Sequence, residues 1–134
     1  MGARYLLDTN ICIYALSGRH PQLVKRIDAL APGEAVLSVV VRGELAYGIA
    51  KSRRRKDAEL RLEALENLIA VVPMPVEAGD HYGEIRAQLE AAGTPIGAND
   101  LWIAAHACCE GLVLVTNNAR EFRRVKGLKV ENWA

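Results

Sequence analysis

The chain has 134 residues, 51% of them hydrophobic, and its 17 Lys and Arg against 16 Asp and Glu give a net charge of +1. This length is typical of one domain, so we expect a single domain over residues 1–134. The balanced charge excludes a general attraction to nucleic acid. The apolar stretches are too short to span a membrane and no secretion signal is visible, so we expect a cytosolic protein that does not bind membranes.

Five short apolar runs predict β-strands, in chain order Tyr5–Asp8, Ala35–Ser38, Ile69–Val72, Leu112–Thr116 and Lys129–Glu131. The first four runs do not alternate with polar residues, which is typical of strands covered on both faces. Helical patterns lie between the runs, over Pro21–Leu30, Val39–Lys51, Asp57–Leu68, Glu77–Ala92 and Ala98–Glu110. This alternation predicts a three-layer α/β/α domain around a mostly parallel sheet of four to five strands.

One aspartate stands at the end of the first predicted strand. Asp8 directly follows the apolar run of Tyr5, Leu6 and Leu7, and the chain becomes apolar again from Ile11. Ligands of open parallel sheets bind outside the carboxyl ends of the strands, where the strand order reverses. If the first and fourth strands are neighbours, Asp8 and the residues after the fourth strand share one crevice.

Two further acids lie in apolar helices. Glu44 is part of "SVVVRGELAYGIA", a helix that we expect to be substantially buried, and Asp100 is part of "GTPIGANDLWIAAHACC". Structural roles are open for each acid. Asp8 could cap a helix that starts near Asn10, Glu44 could pair with Arg42, and Asp100 could stabilise the positive end of its helix.

The repulsion between these acids favours a bound cation. Two carboxylates about 4 Å apart repel by roughly 4 kcal/mol at an effective dielectric constant near 20, and domains are stable by only about 5–15 kcal/mol. No Lys or Arg closely flanks Asp8 or Asp100. Mg²⁺ or Mn²⁺, which prefer oxygen ligands, would fit a site formed jointly by Asp8, Glu44 and Asp100. Such an ion activates water and stabilises charge on a phosphodiester.

Two basic clusters are further candidates for binding. They are "KSRRRK" at residues 51–56 and "REFRRVK" at residues 120–126. Each could be a solvated surface or a patch that binds phosphates of RNA. The candidate RNA-binding side chains are Arg53, Arg54, Arg55, Lys56, Arg123 and Arg124.

Four motifs together carry a family resemblance: "LLDTNICIYAL", "SVVVRGELAYG", "IGANDLWIAAHA" and "LVLVTNNAREFRRVKGLKVENW". In this order they resemble the PIN-domain ribonucleases and, among them, the VapC-type toxins of bacterial toxin–antitoxin pairs. The resemblance implies an endoribonuclease that depends on Mg²⁺ or Mn²⁺, with Asp8, Glu44 and Asp100 as catalytic and metal-binding acids. It also assigns supporting roles to Thr116, a hydroxyl after the fourth strand, and to Asn10.

The motif after the fourth strand departs from the common family pattern. Many PIN domains have a fourth acid where this chain has Asn118, and Glu121 follows one helical turn later. A neutral side chain there puts a second metal in doubt, although Glu121 could replace the acid. The alternative is a degenerate PIN domain that binds a metal or a partner without cleaving RNA.

The resemblance also implies partners. VapC-type toxins are typically homodimers neutralised by a VapB-type antitoxin, whose C-terminal segment lies across the toxin groove. Higher assemblies form with the antitoxin, and binding of DNA belongs to the antitoxin alone. The C-terminal motif resembles that of toxins that cut the initiator tRNA in its anticodon loop, so tRNA is the expected substrate.

Overall fold

The computed structural model describes residues 2–134 and contains a five-stranded sheet in the order β3-β2-β1-β4-β5. All four strand pairings are parallel. The strands are β1 (Tyr5–Leu7), β2 (Ala35–Ser38), β3 (Ala70–Val72), β4 (Val113–Val115) and β5 (Val130–Glu131). The predicted fold class is confirmed, with all five predicted strands present.

Seven helices connect the strands in the described part of the chain. They are α1 (Thr9–Ser17), α2 (Pro21–Asp28), α3 (Val39–Ala50), α4 (Arg55–Leu68), α5 (Ala78–Ala91), α6 (Ala98–Glu110) and α7 (Ala119–Phe122). The five predicted helices correspond to α2–α6 with small shifts at their ends. Both α1 and α7 are short helices that directly follow a strand, and neither has a long periodic pattern. None of the helices in residues 2–134 is long and apolar enough to cross a membrane.

The strand order reverses between β1 and β4, which are direct neighbours in the sheet. Tyr5 is aligned with Val113 and Leu7 with Val115. The carboxyl ends of these two strands therefore lie side by side. The backbone N–H of Asp8 continues the pairing by donating to the carbonyl of Val115 at 2.9 Å. This is the expected position of a ligand site in an open parallel sheet.

Two predictions of burial are wrong. The edge strand β3 begins with an exposed residue, Ala70, and is only half-buried afterwards, because no strand covers its outer side. Helix α3 buries Val41 and Leu45, whereas Val39 is 50% exposed and Tyr47 66% exposed. An apolar helix with one open face points to a surface that functions in binding.

Helix α6 is buried as its sequence predicts. Leu101 and Ile103 are buried together with the small residues Ala104, Ala105 and Ala107. This packing fixes the first turn of α6, which carries Asp100, in relation to the sheet.

Candidate active site

Asp8 is the N-cap of α1 and is 5% exposed. Its Oδ1 accepts a hydrogen bond of 2.7 Å from the backbone N–H of Thr9, and its Oδ2 accepts one of 2.7 Å from the hydroxyl of Thr116. Burial raises the pKa of Asp8, the two hydrogen bonds oppose that rise, and the charge of Glu44 adds to it. The predicted first strand was one residue too long, because β1 ends at Leu7 and Asp8 already belongs to the helix cap.

Thr116 connects the end of β4 to this carboxylate. The residue is fully buried, and its Oγ1 donates to Asp8 and accepts from the backbone N–H of Asn118 at 2.9 Å. The hydroxyl thus donates its hydrogen to the carboxylate of Asp8 and accepts a hydrogen bond from the turn that follows. This arrangement fixes the orientation of Asp8 from the neighbouring strand.

Glu44 lies on α3 and meets the first acid through Thr9. The hydroxyl of Thr9 donates to Oε1 of Glu44 at 2.5 Å, while its backbone N–H donates to Asp8. Sequence reasoning missed Thr9, although it lies inside the quoted motif "LLDTNICIYAL". Arg42, the predicted alternative partner of Glu44, forms an ion pair with Glu66 instead.

Asp100 lies in the first turn of α6, half-buried among charges of its own sign. Burial is the main cause that raises its pKa to about 6, and the charges of Asp8, Glu44 and Glu121 raise it further in that order. The positive end of the helix should lower this pKa, and the opposing causes outweigh it. Four acids from separate elements therefore act on one another at this end of the sheet.

Glu121 joins the site where the fourth acid of the resembling family was missing. The side-chain amide of Asn118 donates to Oε2 of Glu121 at 2.8 Å. The charge of Glu121 also raises the pKa of Asp100, as the smallest of the causes of that rise. Asn10 lies on the first turn of α1 and is exposed.

The chemistry of these donors fits a hard divalent cation. Among residues 2–134, no three Asp, Glu, His or Cys side chains are grouped closely enough to hold a metal ion together. Within the same residues, none of the five ion pairs includes Asp8, Glu44, Asp100 or Glu121. Four carboxylates without a basic partner suit Mg²⁺ or Mn²⁺, which bind through a few carboxylates and keep several water molecules.

Two cavities open next to Glu44. The larger one, of about 750 Å³, lies between α1, α3 and the start of α6. Its polar lining residues are Thr9, Glu44, Lys51 and Asn99, and Ile13, Val39, Val40 and Tyr47 also line it. We call it the polar groove. The second, of about 290 Å³, lies between α1, α3 and α4, and its apolar lining includes Leu16, Leu45, Ile49 and Leu62. We call it the apolar groove.

The basic clusters are exposed and lie in two different places. Arg53 and Arg54 form the turn between α3 and α4, where Arg55 and Lys56 begin α4, and Arg123 and Arg124 follow α7. Arg55 pairs with Glu59 at 3.0 Å on its own helix, which reduces its free charge. The first cluster directly follows α3, the helix that carries Glu44.

Known proteins resemble the chain over almost its whole length. A family model described as the PIN domain matches residues 5–128. Ribonuclease VapC2 from Rickettsia felis is 38% identical over 130 residues, which cover 96% of this chain and 97% of the relative. The tRNA(fMet)-specific endonuclease VapC from Shigella flexneri is 39% identical over 131 residues, 98% of either chain.

Solved structures agree with these relationships. The crystal structure of VapBC2 from Rickettsia felis bound to a promoter DNA fragment matches with a TM-score of 0.92 and 37% identity, over 97% of this chain and 98% of that chain. DNA-bound VapBC from Salmonella typhimurium matches with a TM-score of 0.92 and 36% identity, over 98% and 99%. The chain therefore belongs to the PIN-domain family and, within it, to the VapC-type ribonuclease toxins of VapBC toxin–antitoxin systems.

Proposed function

We propose that this ribonuclease is a metal-dependent endonuclease that cuts a structured RNA by attack of an activated water on a phosphodiester. The observation that carries the proposal is that Asp8 and Glu44 are joined through Thr9 at the point where the strand order reverses, with Asp100 near enough for their charges to raise its pKa. Carboxylates without basic partners suit a bound cation and not a structural ion pair.

The four acids would hold Mg²⁺ or Mn²⁺, with Asp8, Glu44 and Asp100 as its principal ligands. A divalent ion bound there lowers the pKa of a coordinated water and neutralises charge on the phosphodiester. Thr116 and Thr9 orient Asp8 and Glu44 through their hydroxyl groups.

The fourth acid comes from a different position in the sequence than in many PIN domains. Asn118 orients Glu121 through a hydrogen bond, and Glu121 supplies the charge that Asn118 lacks. Asn10 is one further polar group at the edge of the site. Its exposed position on α1 leaves it accessible to substrate.

The proposed substrate is tRNA, with the anticodon loop of the initiator tRNA as the first candidate. Two relatives that are 39% and 36% identical are named as tRNA(fMet)-specific endonucleases. Proteins read RNA sequence mostly in single-stranded loops, where bases are free to unstack. The exposed arginines of the two basic clusters would bind phosphates on either side of the cut.

The proposed protein partner is a VapB-type antitoxin. The solved relatives include VapBC complexes bound to DNA, so DNA binding would come to this chain through the antitoxin. The apolar groove offers Leu16, Leu45 and Ile49 to an apolar segment and ends at Glu44, where a basic side chain of the antitoxin would block the site. A homodimer and a larger assembly with the antitoxin complete the proposal.

The direct test is a cleavage map. Purified protein, free of antitoxin, is incubated with total RNA and Mn²⁺ beside an Asp8→Ala control, and all new 5′ ends are sequenced. We expect one metal-dependent cut in a tRNA anticodon loop that the control lacks. A metal-dependent cut elsewhere would contradict the proposed substrate but support the proposed cleavage reaction.

One outcome would favour the alternative of a degenerate PIN domain that binds without cleaving. In that case the folded protein binds Mn²⁺ in calorimetry but produces no new 5′ ends above the control. The variant Asn118→Asp would then show whether the neutral side chain is responsible, since it restores the acid of many relatives.

A further inference from the structure

The polar groove runs along one face of α3, starting at the candidate active site. Glu44, Tyr47 and Lys51 are spaced by three and four residues and therefore lie on the same side of the helix. All three line the groove, and Asn99, the residue before Asp100, lines it from α6. The groove thus leads from the carboxylates to a cationic end.

Tyr47 is an unusually exposed aromatic residue. It is 66% exposed, and the Nζ of Lys51 lies over its ring, 4.6 Å from the centroid, in a cation–π contact. Packing of the fold does not explain an aromatic ring in this position. An accessible ring beside a cation is the combination with which proteins bind single-stranded nucleic acid, since bases stack on the ring and phosphates pair with the cation.

Two glycines of α3 line the polar groove together with the ring. Gly43 and Gly48 lie inside α3 and line the polar groove. Glycine inside a helix is unfavourable, and a Cβ atom built at either position meets no atom within 4 Å. Close packing therefore does not require these glycines. At both positions no side chain projects from α3 into the groove.

We propose that Tyr47 and Lys51 form a nucleotide subsite of the polar groove, where a base next to the scissile phosphate stacks on Tyr47 and its phosphate pairs with Lys51. The subsite rests on the proposed ribonuclease function and names the part of the substrate that α3 reads. The exposed ring and the cation next to Glu44 favour RNA as the occupant of the polar groove, whereas Ile13, Val39 and Val40 on the same groove would suit a peptide. The apolar groove is the better match for a peptide.

Binding of a short RNA tests the subsite. A fluorescein-labelled, unstructured RNA of about ten nucleotides is titrated in an Asp100→Asn background, which prevents cleavage, and followed by anisotropy. We expect Tyr47→Ala to weaken binding by about 5- to 100-fold and Tyr47→Phe to restore it to within about threefold. Lys51→Gln should reduce the slope of log affinity against log salt by about 0.7.

Matched controls separate the subsite from general surface effects. Leu60 on α4 is 65% exposed, and Lys25 on α2 is exposed; neither lines the polar groove. Leu60→Ala and Lys25→Gln should therefore bind as the parent does. In the active protein, Tyr47→Ala should raise KM and leave kcat close to its original value. Thermal unfolding checks that each variant is folded.

Three results would overturn the proposal, each in a different way. If Tyr47→Ala and Lys51→Gln bind RNA like the control variants, the subsite does not exist. If Tyr47→Ala loses affinity for an antitoxin peptide but keeps its affinity for RNA, the groove is a peptide surface. If the unmodified protein neither binds nor cuts RNA with Mn²⁺, the proposed ribonuclease function fails together with the subsite.

Discussion

At the scale of single residues, two threonines determine where the acids lie. Thr116 reaches Asp8 from β4, and Thr9 connects Asp8 to Glu44 on α3. A sequence motif identifies the acids because charged residues stand out in apolar segments. The threonines do not stand out, because isolated hydroxyl groups are common in cores and caps. The resemblance to a family pointed to Thr116, and only the structure identified Thr9.

Removing the hydroxyl of Thr116 should both destabilise the protein and disturb the site. Thr116→Val leaves one oxygen of the buried Asp8 without its donor, which should lower the free energy of unfolding by about 1–3 kcal/mol. Cleavage should fall as well, because Asp8 loses its orientation. Thr116→Ser keeps the hydroxyl and is the matched control. Equal stability of the valine and serine variants in urea unfolding would contradict the role given to this bond.

The raised pKa of Asp100 predicts a pH-dependent cost to stability. Its pKa is about 6 in the folded protein against an ordinary value of 3.8, so the folded state binds this proton more tightly. The contribution of Asp100 to stability therefore falls as pH rises from about 4 to about 6 and stays constant above that range. Screening by solvent at this half-buried site makes the loss of folding stability smaller than the full shift of the Asp100 pKa would give.

Asp100→Asn removes that cost. In excess chelator, the variant should become more stable than the parent across this pH window, with a gain on the order of 1 kcal/mol at pH 7. Urea unfolding at several pH values measures the difference, in which titrations common to both proteins cancel. A difference that is constant from pH 4 to pH 7 would contradict the electrostatic account.

At the scale of elements, α3 serves as both a wall of the core and a wall of the two grooves. Val41 and Leu45 pack inward, while Val39 and Tyr47 face outward. Its nearly uniform apolar sequence led to the prediction that it is substantially buried. Sequence alone does not distinguish an apolar face that meets the core from one that meets a partner, since both require the same residue types.

The glycines of α3 provide a test at this scale. Gly43→Ala should raise the free energy of unfolding by roughly 0.5–1 kcal/mol, since alanine is the better helix former and its Cβ meets no atom. The same methyl group narrows the polar groove, so KM for RNA should rise. Gly2→Ala, at an open position outside all elements, is the control. A variant that is less stable than the parent would show that Gly43 has a structural role instead.

At the scale of the whole molecule, the order of strands brings distant residues together. Asp8, Glu44, Asp100 and Glu121 come from four segments, and the parallel pairing of β1 with β4 places their crevice at one edge. The alternation of strands and helices was enough to predict the fold class and this edge. The exposure of β3 was not predictable, because it depends on neighbours in space. The helix α1 was foreseen only as one that Asp8 could cap, and α7 is too short to give a periodic pattern.

The central claim is that the converging carboxylates form one metal-dependent nuclease centre. The most direct measurement combines Mn²⁺ calorimetry with RNA cleavage for the unmodified protein and for Asp100→Asn. We predict that the unmodified protein binds Mn²⁺ and cuts RNA, and that excess chelator abolishes cleavage. The variant should remain folded, bind Mn²⁺ weakly and cut at least about 100-fold more slowly. Full cleavage by the variant, or by the unmodified protein in chelator, would contradict the claim.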